Sequence, residues 1–147
     1  MIVSQIETLL LYAERFYRRQ FITRNAASDD LVARFEQLLN AHFEGEGERA
    51  LPTVQQFADD LHVSPAYLSG LLRTLTGQTA QQHLHRKLID YAKQLLLSSS
   101  LTVSEAAFQL GFEYPQYFNR LFKQKTGMTP GAYRAGAAFR QPGHTID

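Results

Sequence analysis

The apolar positions of this chain recur at intervals of three and four residues through most of its length, and sustained two-residue alternation is missing. The first pattern is typical of amphipathic α-helices and the second of half-buried strands, so the chain is predicted to be all-α. Two amphipathic helices open it, over about Ser4 to Phe21 and about Ser28 to Phe43. The second has Ser28 as its predicted N-cap and two acidic residues in its first turn. Its expected buried residues are Leu31, Phe35, Leu38 and Leu39.

Glutamates and glycines alternate directly after the second predicted helix, over residues 44–49. Two glycines among like charges make a flexible connection. We therefore expect a helical, partner-facing segment over residues 1–50, a second domain over residues 51–140, and a disordered tail over residues 141–147. Homodimerisation through the apolar stripe between Ile6 and Tyr17 is a separate hypothesis, based on the width of that stripe.

Helix boundaries are well marked in the second domain. Three segments match the capping box, in which a threonine and a glutamine or glutamate three residues later cap each other's backbone N–H groups. They begin at Thr53, Thr79 and Thr102. A hydroxyl residue followed by proline predicts two more helix starts, at Ser64 and Thr129. Left-handed glycines are expected to end two of these helices, namely Gly77 and Gly127.

The second domain contains one pattern twice, with a shift of 49 residues before a turn and 50 after it. The matched pairs include Thr53 and Thr102, Leu61 and Leu110, Tyr67 and Tyr117, and Gly77 and Gly127. Each copy predicts a helix, a tight turn and a second helix. The turn carries Gly111 in the second copy, where positive φ is easily adopted, and His62 in the first copy, where it is more costly.

The second helix of the second copy has an inward face and an outward polar stripe. The residues predicted to face inward are Tyr117, Phe118, Leu121 and Phe122. The stripe, spaced at i, i+3, i+4 and i+7, comprises Gln116, Asn119, Arg120 and Lys123. In a DNA major groove, arginine forks onto guanine, glutamine and asparagine pair with adenine, and lysine meets phosphate. The alternative is an ordinary solvated face on a helical protein-interaction module, a solenoid or a bundle.

A further predicted helix, from Thr79 to about Ser98, connects the two copies. Its expected buried residues are Leu84, Leu88, Ala92, Leu95 and Leu96. It spans roughly 30 Å at 1.5 Å per residue, close to one turn of B-DNA at about 34 Å. We therefore expect two helix-turn-helix subdomains joined by a long linker helix, which would hold recognition helices at about residues 65–76 and 115–126 in successive major grooves.

Composition and charge narrow the class of protein. The chain of 147 residues is 44% hydrophobic, enough for one good core or two small ones. Cysteine is absent, which excludes disulfides and thiolate sites. The net charge of +1 divides into −2 over residues 1–50 and +3 over residues 51–147. No apolar run approaches the roughly 20 residues of a membrane span, and no secretory signal is recognisable, so a cytoplasmic protein without a membrane partner is expected.

Catalytic and metal-binding interpretations are weaker. His83 and His85 are two residues apart on one helix and point to different sides, without acidic or thiol partners at suitable spacing. Asp59 and Asp60 are better explained as an exposed acidic helix end than as a paired-carboxylate device. We therefore expect no enzyme activity, no metal and no cofactor.

Basic side chains outside the stripe are candidates for phosphate contact. On the linker helix they are Arg86, Lys87 and Lys93, for which a role in solubility alone is the alternative. A second basic group in the first predicted helix is better explained as a solvated face, and consists of Arg15, Arg18 and Arg19.

The second copy also carries a dense sequence signature. It runs from Thr102-Val103-Ser104-Glu105-Ala106-Ala107-Phe108-Gln109-Leu110-Gly111-Phe112 through Tyr117-Phe118-Asn119-Arg120-Leu121-Phe122-Lys123 to Thr126-Gly127-Met128-Thr129-Pro130 and Tyr133-Arg134. With these residues, the region from about Leu51 to Arg134 resembles the AraC/XylS family of bacterial regulators. The resemblance implies a seven-helix domain that binds promoter DNA and contacts RNA polymerase. It also implies that residues 1–43 are the end of a sensor domain in a longer regulator.

The register of the repeat assigns roles to the first copy. Ala66, Ser69 and Gly70 fall opposite the base-reading positions, and Arg73 falls opposite the phosphate-binding Lys123. The resemblance implies a large polar residue at position 70, so Gly70 weakens base reading by the first copy. Tyr114 stands where the family often has an aspartate cap. Tyr114 and Ser64 are expected to contact the DNA backbone.

Overall fold

The computed structural model describes residues 26–45 and 49–140, and all regular structure in these two ranges is helical. The prediction of an all-α fold is therefore confirmed for the described residues. None of their helices combines the length and the apolar character that a bilayer crossing requires. The helix predicted from Ser4 to Phe21 and the tail at residues 141–147 lie outside the described residues.

The first described helix, α1, covers residues 26–44. The prediction that Ser28 caps this helix is wrong, because the two preceding residues are already helical. Both are alanines, the residue with the highest helix propensity, and they extend the helix ahead of the polar residues. The chain forms two compact units, which meet in sequence between Leu38 and Leu39. Phe35 is fully buried in the first unit.

The first helix-turn-helix consists of α2 (Val54–Asp60) and α3 (Pro65–Thr76). The predicted capping box at Thr53 is present, and its hydroxyl accepts a hydrogen bond from the backbone N–H of Gln56. In the turn, His62 adopts a φ of 57°, as the repeat predicts. Helix α3 ends at Gly77, whose φ is 82°.

The linker helix, α4 (Ala80–Ser98), begins at the predicted capping box of Thr79. It packs against α2 and α3 and also against every helix that follows it. Its buried residues are Ala80, Leu84, Leu88, Ile89, Ala92 and Leu96. The predicted apolar side is therefore confirmed except at Leu95, which is only half-buried. The burial along its whole length makes α4 a common core element of both helix-turn-helix motifs.

The second helix-turn-helix consists of α5 (Val103–Leu110) and α6 (Pro115–Thr126), and α7 (Pro130–Arg140) follows it. Aromatic rings form a continuous path through its core. The ring centroids are 5.3 Å apart between Phe112 and Phe118, 5.8 Å between Phe118 and Phe122, and 5.5 Å between Phe122 and Tyr133. Arg134 anchors α7 to α4, because its Nε donates a hydrogen bond of 2.9 Å to the Leu96 carbonyl.

The turn of the second helix-turn-helix packs closely against residues 49–51, which precede α2. Gly111 has a φ of 100°, and a Cβ built on it would lie 2.5 Å from the carbonyl oxygen of Arg49 and 2.6 Å from the nitrogen of Leu51. Backbone atoms cannot approach a Cβ so closely. Gly111 is therefore required both by its conformation and by the close packing of residues 49–51.

Arg49, at the end of the predicted flexible connection, contacts both the last turn of α1 and α4. Its Nη1 donates a hydrogen bond to the backbone carbonyl of His42, and its guanidinium carbon lies 5.4 Å from the ring centroid of Tyr91 on α4. The ring of Phe43 lies 5.5 Å from the same tyrosine. The last turn of α1 is thus held against α4, whereas residues 46–48 lie outside the described residues.

Candidate nucleic-acid interface

Helix α6 has a rigid inner face. Phe118 and Phe122 are fully buried, and Leu121 is half-buried. The helix begins with Pro115 at its first position and ends at Gly127, whose φ is 79°. Because large aromatic rings hold its inner side in place, the orientation of the helix, and with it the residues that lie on its outer face, is fixed as well.

The four predicted stripe residues of α6 all lie on its exposed face. They are Gln116, Asn119, Arg120 and Lys123. Within the described part of the chain, no hydrogen bond or ion pair engages the side chains of Gln116, Asn119 or Lys123. Their donors and acceptors are therefore available to an external partner. The placement of the stripe agrees with the sequence pattern.

Tyr117 lies on the outer surface of α6, and the prediction that it faces inward is wrong. Its side chain is 52% exposed, and that of Tyr114 is 47% exposed. The inner space is already filled by Phe118 and Phe122, and each helical residue is rotated by about 100° from the one before it. Tyr117 therefore falls between the core and the stripe. Tyr114, Tyr117 and Arg120 follow one another at three-residue spacing. This sequence pattern could have indicated that Tyr117 lies on the same exposed side as Arg120.

An aromatic and cationic stack runs along this edge of α6. The rings of Tyr114 and Tyr117 meet edge to face, with centroids 5.6 Å apart. The guanidinium carbon of Arg120 lies 5.9 Å from the ring centroid of Tyr117. Tyr114 occupies the N-cap position but makes no capping hydrogen bond, so its side chain is engaged with Tyr117 rather than with the backbone.

Helix α3 presents much smaller side chains at the corresponding positions. Ala66, Gly70 and Arg73 are exposed, and Ser69 is half-buried. Tyr67 matches Tyr117 in the repeat and is also exposed, at 55%. A Cβ added to Gly70 would meet no atom within 4 Å, so packing inside this chain does not require glycine there.

Ser64 has a structural role at the start of α3. Its Oγ accepts a hydrogen bond of 3.1 Å from the backbone N–H of Tyr67. This is an N-cap contact of the kind predicted from the Ser64-Pro65 pair. Ser64 and Ala66 are exposed at this helix start, whereas the Ser64 hydroxyl is already engaged within the chain.

The linker helix contributes a basic cleft of about 330 Å³ where it packs against the end of α6. Arg86 is exposed and Lys87 is half-buried; only the first of these lines the cleft. The lining residues are Gln78, Gln82, Arg86, Ile89, Asp90, Lys93, Lys125 and Thr126. Lys93 also lies 5.9 Å from the ring centroid of Tyr133. Three cations against one carboxylate make this cleft electropositive.

The two histidines of α4 have separate partners. Nε2 of His83 lies 2.7 Å from the Thr76 hydroxyl, and Nε2 of His85 lies 2.7 Å from the side-chain nitrogen of Gln81. Burial, together with the nearby positive charge of Lys125, lowers the pKa of His85. Among the described residues, no group of three or more histidine and acidic side chains could hold a metal ion.

The acidic pair at the end of α2 is exposed. The Oδ1 atom of Asp59 accepts a hydrogen bond of 2.8 Å from the side-chain amide of Gln55, one helical turn earlier. Asp60 lies beside it at the last position of the helix. The pair belongs to a solvated helix end and lines neither the cleft at the end of α6 nor the cleft between α4 and the end of α1.

Comparisons with known proteins extend these observations. A family model described as a helix-turn-helix domain matches residues 57–136. The transcriptional activator RhaR of Enterobacter sp. (strain 638) is 31% identical over 126 residues, which are 86% of this chain and 43% of the relative. The C-terminal domain of AraT, a response regulator from Geobacillus stearothermophilus, is 30% identical with a TM-score of 0.65, covering 80% of this chain and 91% of that one.

A third relative was solved together with DNA. The DNA-binding domain of AdpA, in complex with a target DNA, is 27% identical with a TM-score of 0.62, covering 77% of this chain and 96% of that one. This chain spans less than half the length of the RhaR relative. The family match nevertheless covers more than half of the chain and includes nearly all of both helix-turn-helix motifs. The chain therefore belongs to the AraC/XylS family of helix-turn-helix domains.

Proposed function

We propose that this chain is the DNA-binding part of a transcription regulator and that it reads a specific duplex sequence mainly through α6. The observation that carries the proposal is the exposed stripe of Gln116, Asn119, Arg120 and Lys123 on a helix whose inner face is locked by Phe118 and Phe122. A rigid helix with solvent-exposed polar side chains on its outer face suits direct readout of base edges in a major groove.

The stripe residues have separate roles in this proposal. Arg120 forks onto a guanine, while Gln116 and Asn119 pair with adenines or bridge to neighbouring bases. Lys123 contacts a phosphate and carries no sequence information. Tyr114, at the N-cap of α6, contacts the DNA backbone through its exposed phenol.

Helix α3 has a weaker reading role, because Ala66, Ser69 and Gly70 offer short side chains. They make close van der Waals and backbone contacts in their groove, and Arg73 adds a phosphate contact. Ser64 contributes through the exposed helix start that its hydroxyl caps. This division of work makes α6 the main source of base discrimination.

The linker helix sets the distance between the two recognition helices. Its 19 residues span about 28 Å at 1.5 Å per residue, close to one turn of B-DNA. Arg86 lies on this helix at the basic cleft beside the end of α6, whereas Lys87 lines a separate cleft with Asn40 and Glu44. Arg86 neutralises a phosphate of the intervening DNA backbone, and Lys87 adds positive charge at longer range, so both add to the salt dependence of binding.

The relatives support a role in transcription regulation. RhaR is named a transcriptional activator, and the AdpA domain was solved with target DNA. We propose that this chain likewise controls transcription in the cytoplasm, without enzymatic activity, and that RNA polymerase is a further partner. A homodimer formed through residues 1–43, as the end of a sensor segment, completes the proposal.

The test is selection of binding sites from a pool of random duplexes, followed by affinity measurements on the selected site. One sequence motif is expected to emerge. Arg120→Ala is expected to cost about 1–3 kcal/mol and to relax preference at one base pair. Lys123→Ala is the matched control. It should weaken all sequences alike and lower the slope of log affinity against log salt by about one.

Two outcomes would contradict the proposal. If no motif emerges and no duplex is retarded at low salt, the chain is a helical interaction module that does not bind DNA. If Arg120→Ala and Lys123→Ala reduce affinity equally on every sequence, then α6 meets only phosphates and does not read bases.

A further inference from the structure

The edge of α6 carries two exposed tyrosines that its core does not need. Tyr114 and Tyr117 are about half exposed, while the inner face is filled by fully buried phenylalanines. About half of each tyrosine remains accessible to solvent, so contacts within the chain account for only part of its surface. The two rings and the Arg120 guanidinium follow one another at three-residue spacing along the helix.

The contact with Tyr117 restricts the rotamers that the Arg120 side chain can adopt. An arginine on an open helix surface samples many rotamers and loses conformational entropy when a base edge fixes it in one of them. A guanidinium within about 6 Å of a ring centroid is attracted to the ring face, and here the distance is 5.9 Å. Tyr114 packs edge to face on Tyr117, which in turn restricts the ring that meets the guanidinium.

We infer that Tyr117, backed by Tyr114, is a specificity-determining positioning residue that holds the Arg120 guanidinium in its base-reading orientation. This role rests on the proposed function and adds residues that the outward stripe does not include. It acts through the pre-organisation of Arg120, so it sharpens discrimination at the base pair that Arg120 contacts.

The first helix-turn-helix contains a natural comparison. Tyr67 occupies the position that matches Tyr117 and is equally exposed. Three residues later, however, α3 has Gly70 where α6 has Arg120. Tyr67 therefore has the ring without the cation, and its removal reports what an exposed tyrosine contributes by itself.

The experiment is a double-mutant cycle on the selected DNA site, with Tyr117→Ala, Arg120→Ala and the combined variant. Tyr117→Ala is expected to lower affinity about threefold to thirtyfold, the range of a cation–π contact at exposed and desolvated sites. Most of this loss should fall at the same base pair that Arg120→Ala relaxes. In the Arg120→Ala background, the same change should cost less than twofold.

Conservative variants separate positioning from simple packing. Tyr117→Phe keeps the ring face and is expected to retain the wild-type base preference, whereas Tyr117→Leu keeps apolar bulk and should behave as Tyr117→Ala. Tyr67→Ala should weaken all sequences alike, without a change at any single base pair. The thermal midpoints of these variants should remain close to that of the wild-type chain, because both tyrosines are exposed.

Failures of the two proposals are distinguishable. If the wild-type chain selects no motif, the proposed function and the role of Tyr117 both fall. If a motif emerges and Arg120→Ala relaxes one base pair, but Tyr117→Ala is additive with it or acts at a different base pair, only the role of Tyr117 is overturned.

Discussion

The two helix-turn-helix motifs share a framework but differ in where their backbone strain and their polar side chains lie. The first has a well-capped α3, a turn with a left-handed histidine, and short outward side chains. In the second motif, Gly111 in the turn packs against residues 49–51, α6 has no side-chain cap, and its outer face carries a stripe of large polar side chains. The comparison teaches that the repeated core preserves the fold, while each outer face is free to take its own role.

The largest expected effect concerns the turn of the second motif. Gly111→Ala should destabilise the chain by about 3 kcal/mol or more, because it combines left-handed strain with overlap against residues 49–51. Gly127→Ala is the control, since its φ is similar but no atom lies within 4 Å of the added Cβ. It should cost about 1 kcal/mol. Chemical denaturation measures both, and equal losses would contradict the close-packing explanation.

One substitution is expected to give the outer face of α3 an arginine that matches Arg120. Gly70→Arg places a guanidinium where α6 has Arg120, in a site with open space around the Cβ. We expect about 1–3 kcal/mol of new discrimination at one base pair, because arginine forks onto guanine. Gly70→Ala is the matched control with the same backbone effect and no fork. Site selection with both variants measures this, and identical motifs would show that α3 does not face base edges.

The two caps should respond in opposite directions. Ser64→Ala removes the hydrogen bond to Tyr67 and should lower the free energy of unfolding by about 1 kcal/mol. Tyr114→Asp supplies the missing cap of α6 and should raise it by a smaller amount, since the ring contact with Tyr117 is lost. Thermal denaturation checks both, and a loss of stability in Tyr114→Asp would mean that the ring contact outweighs a cap.

The turn of the first motif should become more stable without its histidine. His62→Gly removes the strain of a left-handed side chain at a φ of 57°, worth about 1 kcal/mol. Part of the gain is offset by the greater freedom of glycine in the unfolded chain. The net increase should be roughly 0.5 kcal/mol. Denaturation of His62→Gly and His62→Ala separates the two terms, since only alanine retains the strain.

The smallest expected effect is a pH dependence at the contact between α4 and α6. Burial, and to a lesser extent the charge of Lys125, lowers the pKa of His85 in the folded chain. The unfolded chain therefore takes up a proton more readily, and stability should fall as the pH drops below the ordinary histidine pKa of about 6.5. His85→Gln should flatten this part of the stability curve. Parallel curves for the two proteins would contradict the assignment.

Local signals predicted the helix boundaries because the interactions involved are local. The capping boxes at Thr53, Thr79 and Thr102 form as predicted, since each needs only residues three apart. The helix start predicted near Ser28 is wrong, since Ala26 and Ala27 are already helical and alanine has the highest helix propensity. Elements and their limits were therefore largely readable from sequence.

Features of the interface that depend on distant or lateral packing could not be read in this way. The sequence explains why Gly111 adopts positive φ, but the approach of residues 49–51 joins positions about 60 residues apart. The outward turn of Tyr117 depends on how fully Phe118 and Phe122 fill the core. Periodicity alone cannot decide a position at the border of two faces.

The burial of α4 along its length restricts how the length of this helix can change during evolution. One added residue in that helix would rotate everything after it by about 100° and advance it by about 1.5 Å, while displacing Leu88, Ala92 and Leu96 from the core. The distance between α3 and α6 can therefore not change by small increments. The outer faces of these two helices change by exchange of solvent-exposed side chains, while their spacing is inherited unchanged.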